Sequence, residues 1–330
     1  MFKLSSTHKL SKMILAAVLS VAGLSGCTGT KEIKIGTGDT GGAYYAYGTE
    51  LADLMNQQGG KITYSVKETA GSAANLRLLK DNYIQMAVVQ SDTLNDAWNG
   101  AGVFNGEGGY SDIRAIAGLY TEACQIVVPR DSDINDVSDL AGKRVSIGEE
   151  ESGVYTNAVE ILEAYGLTLN DLNASRMSFT ESADAMKNGE LDAFFCTAGA
   201  PTSAVAELSS SMEIRLLSLD ERALSYMQNL YGGYTVTTVP ANTYNGQSEE
   251  TTTIGVKAVL VTRSEVADST IQNVTKTLFE HTADLQQVWG VTDQLTETFA
   301  VSDSSIPFHN GAIAYYTQHG ISFSDEGTVK

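Results

Sequence analysis

The stretch Ile35-Gly36-Thr37-Gly38-Asp39-Thr40-Gly41-Gly42-Ala43-Tyr44-Tyr45 decides how this chain folds. It follows an apolar run typical of a strand, Ile33–Ile35, and leads into a helix-like run, Ala43–Gln57. A glycine-rich turn between a strand and a helix exposes backbone N–H groups, and the helix start adds about half a positive charge. We therefore expect this loop to hold an anion or a polar head group.

The spacing Gly36-x-Gly38-x-x-Gly41 also matches the dinucleotide-binding fingerprint, and Glu68 follows the next predicted strand, where the ribose-binding acid belongs. Two observations argue against this interpretation. The bulky pair Tyr44-Tyr45 occupies the helix start, where a pyrophosphate needs room. The chain also carries an export signal, and a secreted protein meets little NAD. The Gly-Lys-Ser or Gly-Lys-Thr ending of a nucleotide-hydrolase phosphate loop is missing from this loop. We expect no cofactor.

The first 27 residues resemble a bacterial export signal. A basic start precedes a short apolar core: Lys3, Lys9 and Lys12, then Met13–Leu19. This core is too short to span a membrane. Small residues before Cys27 resemble a lipoprotein box, which predicts a signal peptide over residues 1–26, a lipidated Cys27 and a tether over residues 27–32. An ordinary signal peptide with a chance cysteine is the alternative. We expect an extracytoplasmic protein held at a bacterial membrane only through its N-terminal lipid.

The chain is strongly acidic, with 21 Lys and Arg against 40 Asp and Glu and a formal net charge of −19. Removing the signal peptide takes away three lysines and no acid, so the charge falls to −22. Such a chain is repelled by nucleic acid and by anionic lipid, so we expect no nucleic-acid partner.

Two cysteines and three histidines remain beyond the signal. Cys124 and Cys196 each lie in an apolar, strand-like run, so a disulfide and two buried free thiols both stay open. His281, His309 and His319 do not lie near a cysteine at the spacing of metal ligands, so we expect no metal site.

Segments of β and α character alternate, which is typical of an α/β sheet with parallel strands. The first series has strands Ile33–Ile35, Ile62–Val66, Met86–Val89, Ile113–Leu119 and Cys124–Val128, with helices Ala43–Gln57 and Ser72–Leu79. The second has strands Val145–Ile147, Ala193–Cys196, Ile214–Leu217, Thr235–Val239 and Val256–Thr262, with helices Val154–Tyr165, Glu181–Asn188 and Val266–Leu285. We expect two lobes with a ligand cleft between them: lobe 1 over residues 33–124, to which 257–330 return, and lobe 2 over residues 125–256.

Several Gly- and Ser-containing turns follow strand ends, where ligands of α/β sheets collect: Glu68–Ser72 with Asn75, Gln90–Asp92, Glu149–Gly153 and Thr197–Gly199. Each serine or threonine can act simply as a helix cap. Together the turns predict a polar cleft of hydroxyls, amides and helix starts. The chain has no Gly-x-Ser-x-Gly elbow and no His-Glu-x-x-His helix, so we expect binding and not catalysis.

The opening stretch resembles the N-terminal signature of the TAXI family, the extracytoplasmic solute-binding proteins of TRAP transporters. Further stretches are similar to other motifs of that family: Glu68–Ser72 with Asn75-Leu76, Gln90–Asp92, and Ile306–Ala312 with Tyr315-Tyr316 and Gly320. The resemblance implies a type II periplasmic-binding-protein fold with two lobes that close on a ligand. It also implies delivery of the ligand to a TRAP membrane permease. The implied ligand is a small organic acid or amino acid, and within this class the resemblance favours a glutamate-like compound.

Carried over position by position, the resemblance implies ligand contacts from both lobes. Lobe 1 would contribute Gly38, Thr40, Gly41, Tyr44, Ser72, Asn75 and Gln90, and lobe 2 would contribute Ser152, Gly153, Thr197, Ala198 and Gly199.

This chain departs from the family pattern at Asp39, where glycine is frequent, at Asn310, where proline is usual, and at Glu149-Glu150-Glu151, where an uncharged turn is usual. Three carboxylates near the cleft would repel an anionic ligand if they faced it. We expect them to point to solvent; the alternative is a ligand with a positive amino group. For the chain as a whole, the alternative is an exported enzyme or ligand-sensing domain that uses the same cleft.

Overall fold

The computed structural model describes residues 31–230, 233–287 and 294–330. The predicted signal peptide, the lipidated Cys27 and nearly all of the predicted tether lie outside these residues, so lipid anchoring stays a prediction. No helix within the described ranges is long and apolar enough to cross a membrane.

The described strands are β1 Lys31–Gly36, β2 Ile62–Lys67, β3 Met86–Gln90, β4 Ile113–Pro129, β5 Arg144–Ser146, β6 Asn173–Ser175, β7 Ala193–Ala198, β8 Ile214–Leu216, β9 Thr235–Val239 and β10 Thr251–Arg263. The described α-helices are α1 Ala43–Gln57, α2 Ser72–Lys80, α3 Ser91–Asn99, α4 Gly153–Ala164, α5 Phe179–Lys187, α6 Ser203–Ser211, α7 Glu221–Leu230, α8 Asp268–Glu280, α9 Thr282–Gln287, α10 Glu297–Val301 and α11 Asn310–Gln318. Short 3₁₀ helices cover Gly102–Phe104, Val137–Leu140 and Leu169–Asp171.

These strands form one mixed sheet in the order β2-β1-β3-β10-β4-β7-β5-β6, with β8 against β4 and β9 against β10. β1 runs parallel to β3, and β5 runs parallel to β6 and β7. β10 is antiparallel to β3 and β4, and β4 is antiparallel to β7. The predicted α/β class is confirmed. The expectation of parallel strands is wrong for β4 and β10, which join the two parallel groups in antiparallel fashion. It is also wrong for β8 and β9, which pair antiparallel with β4 and β10.

β4 is one strand of 17 residues, whereas the sequence predicts two, Ile113–Leu119 and Cys124–Val128. The residues between them pair with β10 and continue the ladder. Glu122 interrupts the apolar run, and a carboxylate inside a strand is a poor local signal of β structure. Pairing with a strand from far along the chain outweighs this local preference.

Two further boundaries differ from the prediction. β10 begins at Thr251 and not at Val256, because the threonines that read as a polar connection pair with β9. The predicted helix Val266–Leu285 is two helices, α8 and α9, separated at His281. Helices α3, α7, α10 and α11 are absent from the sequence-based prediction.

Buried apolar side chains form two regions along the sheet. The first core takes its residues from 33–120 and 258–316. The second core consists of two adjoining clusters, both drawn from residues 123–256. The cores therefore fall on either side of the predicted lobe limits, and the limits themselves stay a prediction. β4 and β10 contribute to both cores, so the chain passes between them on these two strands.

Both cysteines are buried free thiols. Cys124 lies opposite Thr197 and Cys196 lies opposite Gln125 in the β4–β7 ladder, so the two side chains are one residue out of register. Since successive side chains of a strand point to opposite faces, the thiols lie on opposite sides of the sheet, in the two different clusters of the second core. Of the two alternatives that the sequence leaves open, a disulfide and two buried free thiols, the structure shows the free thiols.

Candidate ligand-binding cleft

A cleft of about 500 Å³, counted with its open mouth, lies where loops from the first core meet loops from the second. One wall holds Gly38, Asp39, Gly42, Ala43, Tyr44, Ala70, Gly71, Ser72 and Gln90, and the other holds Gly148, Glu149, Ser152, Gly153, Val154, Met177, Ser178, Phe179, Thr197 and Ala198, with Glu122 of β4 between them.

Four helices begin at this cleft, two from each wall: α1, α2, α4 and α5. Three of these helix starts are capped within the protein. Ser152 and Ser178 accept hydrogen bonds from first-turn N–H groups of α4 and α5. The first N–H groups of α2, those of Ala73 and Ala74, donate to the carbonyl of Glu151. Helix α1 begins after Gly42 without a side-chain cap, so the N–H groups of its first turn can donate to a ligand.

Glu122 is the most deeply buried carboxyl of the cleft, with 1 % of its surface exposed. Its Oε2 accepts a hydrogen bond of 2.9 Å from the hydroxyl of Tyr44. The pKa of Glu122 is raised to about 8: burial and the nearby carboxyl of Asp92 raise it, whereas Tyr44 and Gln90 lower it. At neutral pH this carboxyl is therefore mostly protonated.

Gln90, at the end of β3, is 2 % exposed. The NH₂ group of its side chain lies toward Glu122 and favours the ionised form of that carboxyl. The other end of the amide, Oε1, is buried and has no hydrogen-bond partner among the described residues. A Cβ atom built on Gly153 would lie 1.7 Å from this oxygen, so the Gln90 side chain reaches the opposite wall of the cleft.

The lining is acidic. Asp39, Glu122 and Glu149 line the cleft, and none of its described lining residues is lysine, arginine or histidine. Burial raises the pKa of Glu149, and the carboxylates of Asp39, Glu181 and Glu68 raise it further, so these acids repel one another.

The expectation that residues 149–151 all point to solvent is wrong for Glu149. Gly148, in a left-handed conformation at φ 82°, turns the chain after β5 so that Glu149 faces the cleft. Glu150 is exposed, and Glu151 is exposed and pairs with Arg77 at 3.2 Å.

The structure brings eight of the predicted contact residues to the lining: Gly38, Tyr44, Ser72, Gln90, Ser152, Gly153, Thr197 and Ala198. That they bind a ligand stays a prediction. Thr40, Gly41, Asn75 and Gly199 do not line the cleft in this structure. Thr40 is exposed, and the N–H of Gly41 donates to the carboxylate of Asp39. The carbonyl of Gly199 accepts a hydrogen bond from the hydroxyl of Thr202.

Asn75 lies behind the wall with no exposed surface. Its Nδ2 donates to the carbonyls of Thr37 (2.7 Å) and Val88 (2.9 Å), and its Oδ1 accepts from the hydroxyl of Thr69 at 2.8 Å. Every polar atom of this side chain is occupied by the loop after β1, by β3 and by the turn before α2. Asn75 therefore positions the wall and does not itself face the cleft.

Glu122, Met177 and Phe179 line the cleft but are not among the residues that the sequence indicates. The available signal for Glu122 is an acid within an otherwise apolar run, and the predicted strands Ile113–Leu119 and Cys124–Val128 stop on either side of it. Met177 and Phe179 precede and begin α5, a helix start that the prediction placed two residues later.

Hydrogen bonds join the two walls around the cleft. The carbonyl of Glu151, whose φ of 71° is left-handed, accepts from the N–H groups of Ala73 (3.0 Å) and Ala74 (3.1 Å). The hydroxyl of Thr180 donates to Oδ1 of Asp39 at 3.0 Å. The cleft is thus in a closed arrangement, and the carboxylate of Asp39 is partly held by the opposite wall.

A model of the NMT1-like family matches residues 35–320 of this chain. Similar solved structures include the alkanesulfonate-binding protein SsuA from Xanthomonas axonopodis pv. citri bound to MOPS, at 17% identity over 78% of this chain and 77% of that one, with a TM-score of 0.47. A ligand-binding component of an ABC-type import system from Staphylococcus aureus with zinc bound matches at 13% identity over 88% and 92% of the two chains, with a TM-score of 0.49. A TRAP periplasmic solute-binding protein from Shewanella oneidensis with bound succinate matches at 13% identity over 78% and 80%, with a TM-score of 0.46.

Proposed function

This chain belongs to the NMT1-like family, and on that premise we propose that it is an extracytoplasmic solute receptor that binds one small polar molecule. The observation that carries the proposal is the convergence of four helix starts and a buried amide on one cleft between two cores. Such a cleft offers backbone donors and fixed side-chain acceptors to a small ligand. Its described lining contains serines but no histidine or cysteine, so the same geometry favours binding over acyl transfer.

Capture would proceed by closure of the two predicted lobes on the ligand. Support comes from the hydrogen bonds that cross the cleft at Glu151 and Asp39, since an open form would break them. A ligand that contacts both walls would favour the closed form by its differential affinity for it. Small-angle scattering of the purified chain from residue 33 onward, with and without a bound ligand, measures this closure.

We further propose the TAXI type of receptor and a TRAP membrane permease as its partner. The support is the resemblance of the opening stretch, which forms one wall of the cleft. The similar C-terminal stretch packs elsewhere: Phe308 is buried in the first core, and the N–H of His309 donates to the carbonyl of Ala115. Uptake of the bound solute, measured in cells with and without this protein and its neighbouring permease, tests the partnership. Uptake that persists without the receptor would contradict it.

Anchoring through Cys27 is part of the same proposal. A Cys27→Ser variant is expected to lose its lipid and to leave the membrane fraction. A variant that stays in the membrane fraction would show that the lipid anchor is not at Cys27.

The ligand class follows from a thermal-shift screen of amino acids and small organic acids, in which a bound ligand raises the melting temperature. The resemblance favours a glutamate-like ligand, whereas the acids that line the cleft disfavour a plain dicarboxylate. If no member of either class raised the melting temperature and NAD did, the receptor proposal would fail. Turnover of the bound molecule, followed by NMR, would instead favour the exported enzyme.

A further inference from the structure

The charge of the cleft restricts what can occupy it. Asp39, Glu122 and Glu149 line it without a basic side chain among the described residues of the lining. The opposing positive contribution comes from helix starts, and those of α2, α4 and α5 already hold oxygens of the protein. A ligand with net negative charge would therefore be repelled by Asp39 and Glu149, and by Glu122 in its ionised form, with no basic side chain of the described lining to offset them.

A second, independent observation is the unpartnered oxygen of Gln90. The carbonyl oxygen of an amide can only accept a hydrogen bond, and no described group donates to Oε1 of Gln90. Buried acceptors in native structures are nearly always paired. A ligand that offers an N–H or O–H donor to this oxygen would supply the partner that it lacks.

The larger aliphatic and sulfur-containing side chains of the lining, Val154 and Met177, and its phenylalanine, Phe179, all lie on the second-core wall. Across from them lie the open N–H groups at the start of α1. The cleft therefore offers three different surfaces: a carboxyl and amide acceptor pair, a set of free backbone donors, and an apolar patch.

We propose that the cleft binds a small α-amino acid with an uncharged, apolar side chain and excludes ligands of net negative charge. The ammonium group would donate to Gln90 Oε1 and to Glu122, the carboxylate would accept from the start of α1, and the side chain would pack on Met177 and Phe179. This inference rests on the proposed receptor function and narrows its ligand class away from glutamate and dicarboxylates.

Calorimetric titration of the chain with small probes that differ in their charged groups tests the inference; all have four carbons except glutamate, which has five. We expect 2-aminobutyrate to bind, and butyrate, succinate and glutamate to bind at least about tenfold more weakly, as expected when a buried charge is left unpaired. Butyrate, succinate or glutamate binding as tightly as 2-aminobutyrate would overturn the inference and leave the receptor proposal standing. Butylamine binding more tightly than 2-aminobutyrate would overturn the assignment to an amino acid. If no amino acid or carboxylate bound at all, the receptor proposal itself would fall.

A variant separates the role of Glu122 from general effects of charge. Glu122→Gln keeps the shape of the side chain. It is expected to lower the affinity for 2-aminobutyrate by about tenfold or more and not to lower the affinity for butyrate. Glu150→Gln is the matched control, since it removes the same charge from an exposed neighbour of the cleft and is expected to change neither affinity. If Glu122→Gln lowered the affinities for 2-aminobutyrate and butyrate equally, with an unchanged melting temperature, the proposed contact between the ammonium group and Glu122 would be contradicted.

The pH dependence of binding gives a second readout. Glu122 faces Tyr44, Gln90 and Asp92, and of these groups Asp92 carries the other carboxyl. An ammonium group favours the ionised form of Glu122, so the affinity of 2-aminobutyrate is expected to rise from about pH 6 to about pH 8. The rise should be smaller in Glu122→Gln. An affinity that falls over this range in the wild type would oppose the proposal.

Discussion

The hydroxyl of Tyr44 donates a hydrogen bond to the buried carboxyl of Glu122 at 2.9 Å, and this contact joins the start of α1 to the middle of β4. It sets the first prediction. Tyr44→Phe leaves Glu122 without one of its donors and is expected to lower the free energy of unfolding by about 1–3 kcal/mol. Urea unfolding near neutral pH measures the change.

Tyr45→Phe is the control, because Tyr45 is the next residue of the same helix and is only half-buried. It is expected to change stability by less than about 0.5 kcal/mol. Equal effects of the two substitutions would show that the contact with Glu122 does not stabilise the fold.

Stability is predicted to depend on pH through Glu122. Burial raises its pKa from 4.5 to about 8, so the native state keeps a proton that the unfolded chain releases above about pH 4.5. The unfolded state therefore binds fewer protons in this window, and the free energy of unfolding falls as the pH rises from about 4.5 to about 8. Burial also raises the pKa of Glu160 to about 8, in the same direction.

Urea unfolding of the ligand-free protein at about pH 5 and about pH 8 tests this prediction, since one pKa unit corresponds to about 1.4 kcal/mol. Glu122→Gln should reduce the difference in the free energy of unfolding between the two pH values. The part that stays in this variant is expected to come partly from Glu160. Glu150→Gln, an exposed control, should leave the difference as it is. A Glu122→Gln variant with the full wild-type difference would rule out Glu122 as its source.

Asn75 is predicted to stabilise the fold and not to contact the ligand. Asn75→Ala removes one donor each from the carbonyls of Thr37 and Val88, and Thr37 keeps the hydroxyl of Thr69 as a donor, so a loss of about 1–3 kcal/mol is expected. Ligand affinity, measured where the variant is fully folded, should change little. Asn99→Ala, on an exposed face of α3, is the control for the loss of an amide. A normal unfolding midpoint with weakened binding would show that Asn75 contacts the ligand.

Gly153 is predicted to be required for closure. A Cβ atom there would lie 1.7 Å from Oε1 and 2.4 Å from Cδ of Gln90, so Gly153→Ala cannot close without moving that side chain. Small-angle scattering should report a more open molecule, and ligand affinity should fall by about tenfold or more.

Gly109→Ala is the control, because the nearest atom to a Cβ atom built there is at 3.6 Å. The double variant Gly153→Ala with Gln90→Ala should recover closure, since the smaller side chain removes the clash, although it should not recover full affinity. Closure of the single variant to the wild-type dimensions would contradict the steric argument.

Local sequence patterns were sufficient to predict many of the strands and helices. The strand before Gly36, helix α1 over residues 43–57, and most elements of the second α/β series follow from apolar periodicity and from glycines at their ends, since these signals act within a few residues. The glycine loop and the turns at Ser72, Gln90 and Ser152 were also located as walls of a cleft. Whether their side chains bind a ligand stays a prediction.

Non-local pairing decided the rest. β4 continues through Glu122 because β10, from far along the chain, supplies its hydrogen-bonding partners, and no local signal contains that information. The same pairing buries Glu122 at the base of the cleft, where it acquires its raised pKa.

By itself, the sequence determined the α/β alternation and which turns lie at strand ends, because these depend on residues that are neighbours in the chain. Only the tertiary structure decided that Asn75 turns inward to three elements of the wall, that Glu149 faces the cleft while Glu150 does not, and that Cys124 and Cys196 lie on opposite faces of the sheet. The orientation of a polar side chain depends on which distant groups can accept or donate a hydrogen bond to it, and folding alone brings those groups together.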